Sequence, residues 1–249
     1  MSNHYRLNLK KKGGSFITRV MNLQTSREKN WKTILFDMDG VLVDSMKYHM
    51  KSWKELLETF NIIVSDEFIY EHEGAMDQEI IKNLFNTCGQ TITDGEIEEV
   101  YKKQNRLFEE NYIARVEFFP GTCSLLGKLT RAGIILGLVT SSRMNLVTKI
   151  WGEKALGFFK SIVSADKARR FKPFPDPYLQ ALKETGQNSF DTLVIENAPA
   201  GIQSALSAGL TCFAIASTLP EEKLSQAHRI FSDLESLTRF LDKAFQVNR

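Results

Sequence analysis

The apolar positions along the chain fall into two patterns. Short continuous apolar runs that end at turn residues are typical of buried parallel strands, and apolar residues spaced three and four apart are typical of helices with one buried side. From residue 117 onwards the two patterns alternate, which predicts an α/β fold with a parallel sheet and helices on both faces. The predicted strands are residues 33–36, 134–139, 161–164, 192–195 and 211–215, and the predicted helices are residues 122–131, 145–151, 176–185, 199–208 and 234–244.

The segment between residues 45 and 116 contains no convincing strand pattern, which predicts an all-helical insertion. Asp94 is the expected N-cap of its last helix, because Asp accepts hydrogen bonds from the free N–H groups at a helix start. The predicted organisation is a core domain of residues 31–46 and 117–249 and a four-helix cap domain of residues 47–116. The predicted cap helices are residues 46–60, 67–72, 78–85 and 94–112.

The composition narrows the class of protein. The chain has 249 residues, of which 43% are hydrophobic and 25% are charged, and its formal net charge is +2. These values are ordinary for a globular protein and do not favour a nucleic-acid partner. No apolar stretch reaches the roughly 18 residues that a membrane span requires. Residues 1–30 are basic, and we expect them to be a flexible extension.

Three widely spaced cysteines match no metal-binding spacing. Cys88, Cys123 and Cys212 cannot all pair with one another, so we predict reduced, buried thiols and a cytoplasmic protein. A monomer is the favoured oligomeric state.

Two aspartates and a glycine directly follow the first predicted strand. Asp37 and Asp39 stand at its carboxyl end, where parallel sheets place their chemistry, and Gly40 comes next. Residues i and i+2 of an extended chain point to the same side, so both carboxylates are expected to face one cleft. Two like charges that lie so close need a cation or a shared proton, and Mg²⁺ prefers such oxygen ligands.

Further polar residues follow other predicted strands. Thr140 and Ser141 follow the strand at 134–139, Lys172 lies in a proline-rich loop, and Glu196 and Asn197 follow the strand at 192–195. Each position has an alternative role as a helix cap, a turn residue or a solvated side chain. Because all of these groups come at equivalent ends of successive sheet units, their combination favours transfer of a phosphoryl group, which needs a nucleophile, an acid/base and neutralising cations.

Three motifs together resemble one known family. They are Asp-Met-Asp-Gly-Val-Leu-Val-Asp-Ser at 37–45, Lys-Pro-Phe-Pro-Asp-Pro-Tyr-Leu at 172–179, and Val-Ile-Glu-Asn-Ala-Pro-Ala-Gly-Ile-Gln-Ser-Ala-Leu-Ser-Ala-Gly at 194–209. The chain resembles the haloacid dehalogenase superfamily of phosphohydrolases over about residues 32–245, and within it the β-phosphoglucomutase-like group. The resemblance implies a Rossmann-like core with an inserted helical cap, Mg²⁺ as cofactor and a small phosphorylated substrate.

The resemblance also implies roles for individual residues. Asp37 would be the nucleophile, and Asp39 the general acid/base that also offers its backbone carbonyl to Mg²⁺. The resemblance assigns the transferring phosphate to Thr140 and Lys172, with Ser141 beside them, and the rest of the metal site to Glu196 and Asn197.

Asn197 departs from the sugar-phosphate mutases, which usually carry Asp at this position. An Asn amide still offers an oxygen to Mg²⁺ but removes one negative charge, so we expect weaker metal binding. The Glu-Asn pair resembles a branch that includes a bacterial inorganic pyrophosphatase, in which a cap acid that matches Glu73 helps to bind the metal. The mutases instead place basic residues in this cap stretch, and their cap-hinge histidine matches His49.

Three functional hypotheses therefore stay open at the level of the sequence. The first is a Mg²⁺-dependent phosphohydrolase that acts on a sugar phosphate, another phosphomonoester or pyrophosphate through an aspartyl-phosphate. The second is a β-phosphoglucomutase, and the third is a catalytically weak regulatory or binding protein that kept the fold.

Overall fold

The central sheet explains how the site is assembled. The computed structural model describes residues 31–72, 76 and 78–245. In this part of the chain, six parallel strands form a sheet in the order β5-β4-β1-β6-β7-β8. The described residues contain eight strands, of which β2 and β3 lie outside this sheet. The strands are β1 (Thr33–Phe36), β2 (Val43–Asp44), β3 (Glu117–Phe118), β4 (Ile135–Val139), β5 (Ser161–Val163), β6 (Thr192–Glu196), β7 (Thr211–Ile215) and β8 (Arg229–Phe231).

Strand β1 is central because it is apolar on both sides. All four of its residues are buried. Ile34 and Phe36 pack into the core on one face of the sheet, and Leu35 packs into the core on the other face. Burial on both faces is what the continuous apolar run predicts for a parallel strand, and it places the carboxyl end of β1 in the middle of the sheet edge.

Four helices follow β2 and form the cap, a name we use for α1 to α4. Their own apolar core includes Trp53, Leu57, Ile81 and Ile97. As predicted, this segment contains no strand among its described residues. The helices are α1 (Met46–Glu58), α2 (Asp66–Glu71), α3 (Gln78–Thr87) and α4 (Asp94–Asn111).

The prediction that Asp94 caps α4 was wrong by one residue. Thr93 is the N-cap, and its hydroxyl accepts a hydrogen bond from the backbone N–H of Glu96 over 3.3 Å. The Glu96 carboxylate in turn accepts from the backbone N–H of Thr93 over 2.8 Å, which completes a capping box. Thr and Asp are both good caps, so their order alone does not decide which one ends the extended segment.

The remaining helices cover both faces of the sheet. Helices α5, α6 and α9 pack on the face that contains Phe36, whereas α7 and α8 pack on the face that contains Leu35. The predicted α/β fold with an inserted helical cap is confirmed. The helices are α5 (Thr122–Arg131), α6 (Met144–Leu156), α7 (Asp176–Thr185), α8 (Pro199–Ser207) and α9 (Leu234–Ala244), and α6 bends at Gly152.

A two-stranded ribbon lies where the chain enters and leaves the cap. Strand β2 pairs antiparallel with β3, so that Val43 lies opposite Phe118 and Asp44 opposite Glu117. The sequence patterns did not predict this ribbon, or β8, because two or three residues are too few to show a periodicity. The ribbon holds both connections of the cap beside the end of β1.

Two further predictions concern the surface. All three cysteines are unpaired, but Cys88 and Cys123 are exposed and only Cys212 is buried, so the prediction of three buried thiols was wrong. Cys123 lies in α5 and Cys88 lies in the turn that follows α3, and the side chains of both are open to solvent. Within the described ranges, no helix is both long enough and apolar enough to cross a bilayer. The predicted flexible extension at 1–30 lies outside the described residues.

Candidate active site

The two predicted carboxylates lie at the carboxyl end of β1. The backbone N–H of Asp37 donates to the carbonyl of Ile195 in β6 over 2.9 Å, so Asp37 still continues the sheet. The chain then turns at Met38 and Gly40. Asp37 and Asp39 are 6% and 7% exposed, and both line the same cavity, as their spacing predicts.

Lys172 joins two of the strand ends. Its Nζ atom lies 2.5 Å from Oδ1 of Asp37 and 2.7 Å from Oε1 of Glu196, and it also donates to the carbonyl of Val139 over 3.1 Å. The lysine is 3% exposed. A buried ammonium ion that is shared by two carboxylates and a carbonyl is well compensated and firmly held.

This arrangement shifts the pKa values of the pair in one direction. Burial raises the pKa of Asp37 well above its ordinary value; the ammonium group of Lys172 opposes this shift, and the charges of Glu196 and Asp39 add to it. Burial would lower the pKa of Lys172, but the two carboxylates outweigh that effect and raise it. Lys172 is therefore protonated. The positive charge around Asp37 is too small to offset the effect of burial on its ionised form.

Asp39 occupies a different environment, in which hydrogen-bond donors surround its carboxylate. Oδ1 accepts from the Ser45 hydroxyl over 2.5 Å and lies 3.3 Å from Nε2 of His49. Oδ2 accepts from the hydroxyl groups of Ser142 over 2.8 Å and Thr140 over 3.2 Å. Four side chains from the cap junction and from the loop after β4 therefore converge on one group.

These donors hold Asp39 in its ionised form. Burial by itself raises the pKa of Asp39, but the charge and hydrogen bond of His49 and the hydrogen bonds of Ser45 and Ser142 outweigh it, so the pKa lies below its ordinary value. The pKa values of the two aspartates are thus shifted in opposite directions, which is the pattern expected when two neighbouring carboxyl groups have different chemical roles.

Glu196 and Asn197 lie at the end of β6, and both are 1% exposed. The Glu196 carboxylate accepts at Oε1 from the Tyr178 hydroxyl over 2.6 Å and at Oε2 from the backbone N–H of Asn197 over 3.1 Å. The Asn197 amide donates from Nδ2 to the Thr218 hydroxyl over 3.2 Å.

Gly40 allows Asn197 to lie directly against the aspartate loop. A Cβ atom at residue 40 would stand only 2.1 Å from Nδ2 of Asn197, and φ of Gly40 is +79°. Both facts require glycine at this position. The amide of Asn197 is therefore packed against the turn that follows Asp39.

The donor atoms at this edge fit a hard divalent cation. Asp37 and Glu196 share one ammonium ion, so a buried negative charge is left for a cation to balance. Among the described residues no three His, Cys, Asp or Glu side chains form a complete metal cage, so amide or backbone oxygens would have to complete the ligand set. Carboxylate and amide oxygens are the ligands that Mg²⁺ prefers.

A cavity of about 560 Å³ lies between this edge of the sheet and the cap. Asp37, Asp39, Ser141 and Lys172 contribute from the core. The cap contributes His49 together with Trp53, Ile69, His72, Tyr101 and Gln104. The volume is that of a small-molecule site, and its polar end is the carboxylate cluster.

Three arginines of the core, Arg143, Arg169 and Arg170, also line the cavity. Arg143 is the N-cap residue of α6, and Arg169 lies in the loop between β5 and α7. Within the described residues, neither side chain forms a hydrogen bond or an ion pair, in contrast to Arg170, which pairs with Asp176 over 2.8 Å. Sequence reasoning did not single out either arginine, because a charged loop residue usually faces solvent.

Most of the predicted site residues meet at one place. Lys172 pairs with both Asp37 and Glu196, and Asp39 is hydrogen-bonded to Thr140 and contacts His49. Ser141 and the buried Asn197 lie beside them. Glu73 lies outside the described residues. Sequence reasoning missed three residues with equally direct contacts: Ser45 and Ser142 donate to Asp39, and Tyr178 donates to Glu196. Ser45 and Tyr178 belong to the family motifs, but the motifs do not show which groups their side chains contact.

The parallel core, the aspartate pair and the helical cap over the cavity define a capped α/β enzyme with a carboxylate site. The chain matches the family model of the haloacid dehalogenase-like hydrolases over residues 34–215. The chain belongs to that family, and the membership predicted from its motifs is confirmed.

Similar proteins include enzymes with different reactions. Hexitol phosphatase A from Escherichia coli (strain K12) is 29% identical over 210 residues, which cover 83% of this chain and 93% of that protein. The β-phosphoglucomutase from Bacillus subtilis (strain 168) is 28% identical over 208 residues, which cover 82% and 91%. A crystal structure of a hydrolase from Pseudomonas syringae has a TM-score of 0.76 at 27% identity and covers 85% of this chain and 98% of that one.

Proposed function

We propose that the protein is a Mg²⁺-dependent phosphohydrolase that acts on a small phosphorylated substrate through an aspartyl-phosphate on Asp37. The observation that carries this proposal is the pairing of two different carboxyl environments in one cavity. Asp37 is held by Lys172, a cation that also suits a phosphate, while Asp39 is surrounded by neutral and imidazole donors.

The cofactor would be held by the carboxylate of Asp37, the backbone carbonyl of Asp39 and the amide oxygen of Asn197. When bound, Mg²⁺ supplies positive charge that neutralises a phosphoryl group. The contacts of Glu196 favour a different role from the ligand role that the family resemblance implies. Its carboxylate accepts from Tyr178, Lys172 and a backbone N–H, which suits a residue that positions the lysine.

In the first half of the reaction, a carboxylate oxygen of Asp37 attacks phosphorus, and the bond between phosphorus and the leaving oxygen breaks. In this step Asp39 has to carry a proton, against the surrounding donors that favour its ionised form, and it gives that proton to the leaving oxygen. Lys172 and the Thr140 hydroxyl neutralise the phosphoryl oxygens. The products are an aspartyl-phosphate and a free hydroxyl compound.

In the second half, water attacks the phosphorus atom of the aspartyl-phosphate. Asp39, now ionised, takes a proton from the water, the bond between phosphorus and Asp37 breaks, and inorganic phosphate leaves. The hydrogen bonds from Ser45 and Ser142 suit this half, because they favour the ionised form of Asp39. The cap limits the number of water molecules that reach the site.

The cavity supports a small substrate. A volume of about 560 Å³ accommodates a sugar phosphate or a molecule of similar size, and the apolar side chains of Trp53 and Tyr101 offer surface to its organic part. Inorganic pyrophosphate would leave most of this surface unused, so the described cavity favours an organic phosphate over pyrophosphate.

A phosphate-release screen over sugar phosphates, nucleotides, p-nitrophenyl phosphate and pyrophosphate tests the proposal. We expect Mg²⁺-dependent release that stops with a chelator and that falls by at least about a thousandfold in Asp37→Asn, which removes the nucleophile. Asp191→Asn is the matched control, because Asp191 pairs with Lys32 far from the cavity. Equal rates in the wild type and Asp37→Asn would overturn the proposed mechanism.

A β-phosphoglucomutase is the second candidate function. Arg143 and Arg169 favour it, because two guanidinium groups in the cavity without an ion pair among the described residues suit a second anionic group on the ligand. Incubation of β-glucose 1-phosphate with a trace of the bisphosphate distinguishes the two candidates. Formation of glucose 6-phosphate supports the mutase, and release of phosphate supports the hydrolase. A protein that does neither, and turns over no member of the screen, would fit the regulatory hypothesis.

A further inference from the structure

The lysine that contacts the nucleophile is itself held by a second layer of buried groups. We propose that Tyr178 is a positioning residue for phosphoryl transfer, and that it acts by fixing the Glu196 carboxylate that holds Lys172 against Asp37. This inference rests on the proposed function of Asp37 and Lys172. The proposed mechanism assigns no role to Tyr178 so far.

The contacts form a continuous chain from Tyr178 to the nucleophile. The Tyr178 hydroxyl donates to Oε1 of Glu196 over 2.6 Å, the same oxygen lies 2.7 Å from Nζ of Lys172, and that ammonium group lies 2.5 Å from Oδ1 of Asp37. Tyr178 is the third residue of α7 and is completely buried. Its ring centroid also lies 5.5 Å from Nζ of Lys172.

The position of Glu196 depends on few groups. One carboxylate oxygen is shared by Tyr178 and Lys172, and the other accepts from the backbone N–H of Asn197. Gly201 of α8 closes the remaining side, because a Cβ atom there would stand 2.0 Å from Oε1. Without the tyrosine hydroxyl, Oε1 would keep only the lysine as a partner, and the carboxylate could rotate.

A tyrosine hydroxyl suits this position for an electrostatic reason. A second charged donor would compete with Lys172 for the Glu196 carboxylate and would weaken the hold on the lysine, whereas a neutral hydroxyl orients the carboxylate without adding charge. The hydroxyl stays protonated, because burial and the nearby carboxylates of Glu196 and Asp37 raise the pKa of Tyr178 well above its ordinary value. Tyr178 is therefore the donor in its hydrogen bond to Glu196.

The alternative is that Tyr178 serves only to pack α7 against the sheet, where it belongs to the core beside Leu35 and Val194. Tyr178→Phe separates the two roles, since it keeps the ring and removes the hydroxyl. We expect kcat to fall by about tenfold or more, because the hydroxyl donates to a charged group, while KM stays within about twofold. A packing role predicts a change in stability without a change in kcat.

Thr185→Val is the matched control. Thr185 lies in the same helix, is completely buried and donates its hydroxyl to the carbonyl of Ala181 over 2.8 Å. Its hydroxyl has no hydrogen bond with Glu196 or Lys172. We expect this variant to lose stability without losing kcat. If both variants change kcat to the same extent, or if Tyr178→Phe leaves kcat unchanged, the positioning role is overturned.

A double-mutant cycle tests whether Tyr178 acts through Lys172. In a Lys172→Ala background, Tyr178→Phe should leave the residual rate unchanged, because the group that it positions is gone. If the two effects on kcat multiply instead, Tyr178 does not act through the lysine.

A crystal structure of Tyr178→Phe supplies a readout that needs no turnover. We expect Oε1 of Glu196 and Nζ of Lys172 to move away from their wild-type positions relative to Asp37. Unchanged positions would overturn the inference even if the wild type released no phosphate in the screen. A silent screen together with moved side chains would instead reject the proposed function and keep the positioning role.

Discussion

Nε2 of His49 lies 3.3 Å from Oδ1 of Asp39, so the first helix of the cap contacts the candidate acid/base directly. The imidazole ring stacks on the ring of Phe108 in α4, with centroids 3.9 Å apart and an angle of 5° between the planes. Phe108 is completely buried. Two cap helices thus set the position of one donor to Asp39.

Phe108→Leu should reduce turnover through His49. Leucine fills much of the same space but offers no flat surface, so the imidazole ring loses its fixed orientation. We expect kcat to fall on the order of tenfold, since small displacements of catalytic groups are costly. The free energy of unfolding should fall by about 1–2 kcal/mol. Steady-state kinetics and urea denaturation measure the two effects.

Phe85→Leu provides the comparison for this prediction. Phe85 is also buried in the cap and packs against the ring of Phe60, with centroids 5.1 Å apart, but it lies away from the cavity. It should lose similar stability and keep kcat. Equal losses of kcat in the two variants would show that any weakening of the cap slows the enzyme, and that the stack on His49 has no special role.

Gly201 is a second site where a small change should have a large effect. An added Cβ atom would overlap the Glu196 carboxylate, with all three nearest atoms within 2.2 Å. Gly201→Ala should therefore destabilise the protein by about 1–3 kcal/mol despite a more favourable helix propensity. Turnover should fall as well, because Glu196 would be pushed from its contact with Lys172.

Gly127→Ala tests the helix-propensity part of this argument alone. Gly127 lies inside α5, where an added Cβ atom would meet a flexible arginine side chain at 3.5 Å, an ordinary contact. We expect this variant to gain about 0.5–1 kcal/mol of stability. If Gly201→Ala were stabilised by the same amount in urea denaturation, the tight packing around Glu196 would be disproved.

The sequence predicted which strand ends carry the site residues, but not which side chains contact one another there. The apolar run of β1 ends at Asp37, so the position of the aspartate pair follows from strand periodicity and from the geometry of a parallel sheet. The same logic places Thr140 and Asn197 at neighbouring strand ends. These inferences needed only local patterns.

The missing parts depend on contacts between distant residues. Tyr178 stands in an amphipathic helix where an aromatic residue is ordinary core, and nothing local shows that its hydroxyl meets a carboxylate 18 positions later. Arg143 and Arg169 look like solvated loop residues in the sequence, and only the structure shows that they line the cavity. Neither a hydrogen-bond partner far along the chain nor a position on the wall of a cavity leaves a periodic signal in the sequence, so these three residues became visible only in three dimensions.

The cap is also tied to the core by exposed charges. Glu109 of α4 accepts from Nδ2 of Asn145 in α6 over 3.0 Å and pairs with Lys149. Because exposed ion pairs contribute only about 0–1 kcal/mol, Glu109→Gln should raise KM by no more than about fivefold. The difference should vanish near 1 M salt, where the Debye length is about 3 Å. Kinetics at low and high salt measure it.

Glu235→Gln is the matched control for this contact. Glu235 pairs with Arg239 within α9 and does not join the cap to the core. Its loss should leave KM unchanged at every salt concentration. A KM for Glu109→Gln that equals the wild-type value at low salt would show that this ion pair between the cap and the core does not contribute to substrate binding.

Asn197→Asp should lower the stability of the metal-free protein and raise its affinity for Mg²⁺. The residue is buried beside the carboxylates of Asp37 and Glu196, so an added negative charge repels them unless a cation is bound. We expect a lower Tm in a chelator than for the wild type. A carboxylate is a stronger Mg²⁺ ligand than an amide, so the Mg²⁺ concentration for half-maximal activity should fall by about tenfold.

Thermal unfolding with and without MgCl₂ checks this prediction without relying on turnover. A ligand at free concentration c that binds only the folded state stabilises it by RT ln(1 + c/Kd), so Mg²⁺ should raise the Tm of Asn197→Asp, which binds it more tightly, more than that of the wild type. Asn188→Asp is the control, because Asn188 is a surface residue that hydrogen-bonds Asp191. If Mg²⁺ shifted all three proteins equally, residue 197 would not be a metal ligand, and the cation would have to bind elsewhere along the edge formed by Asp37 and Asp39.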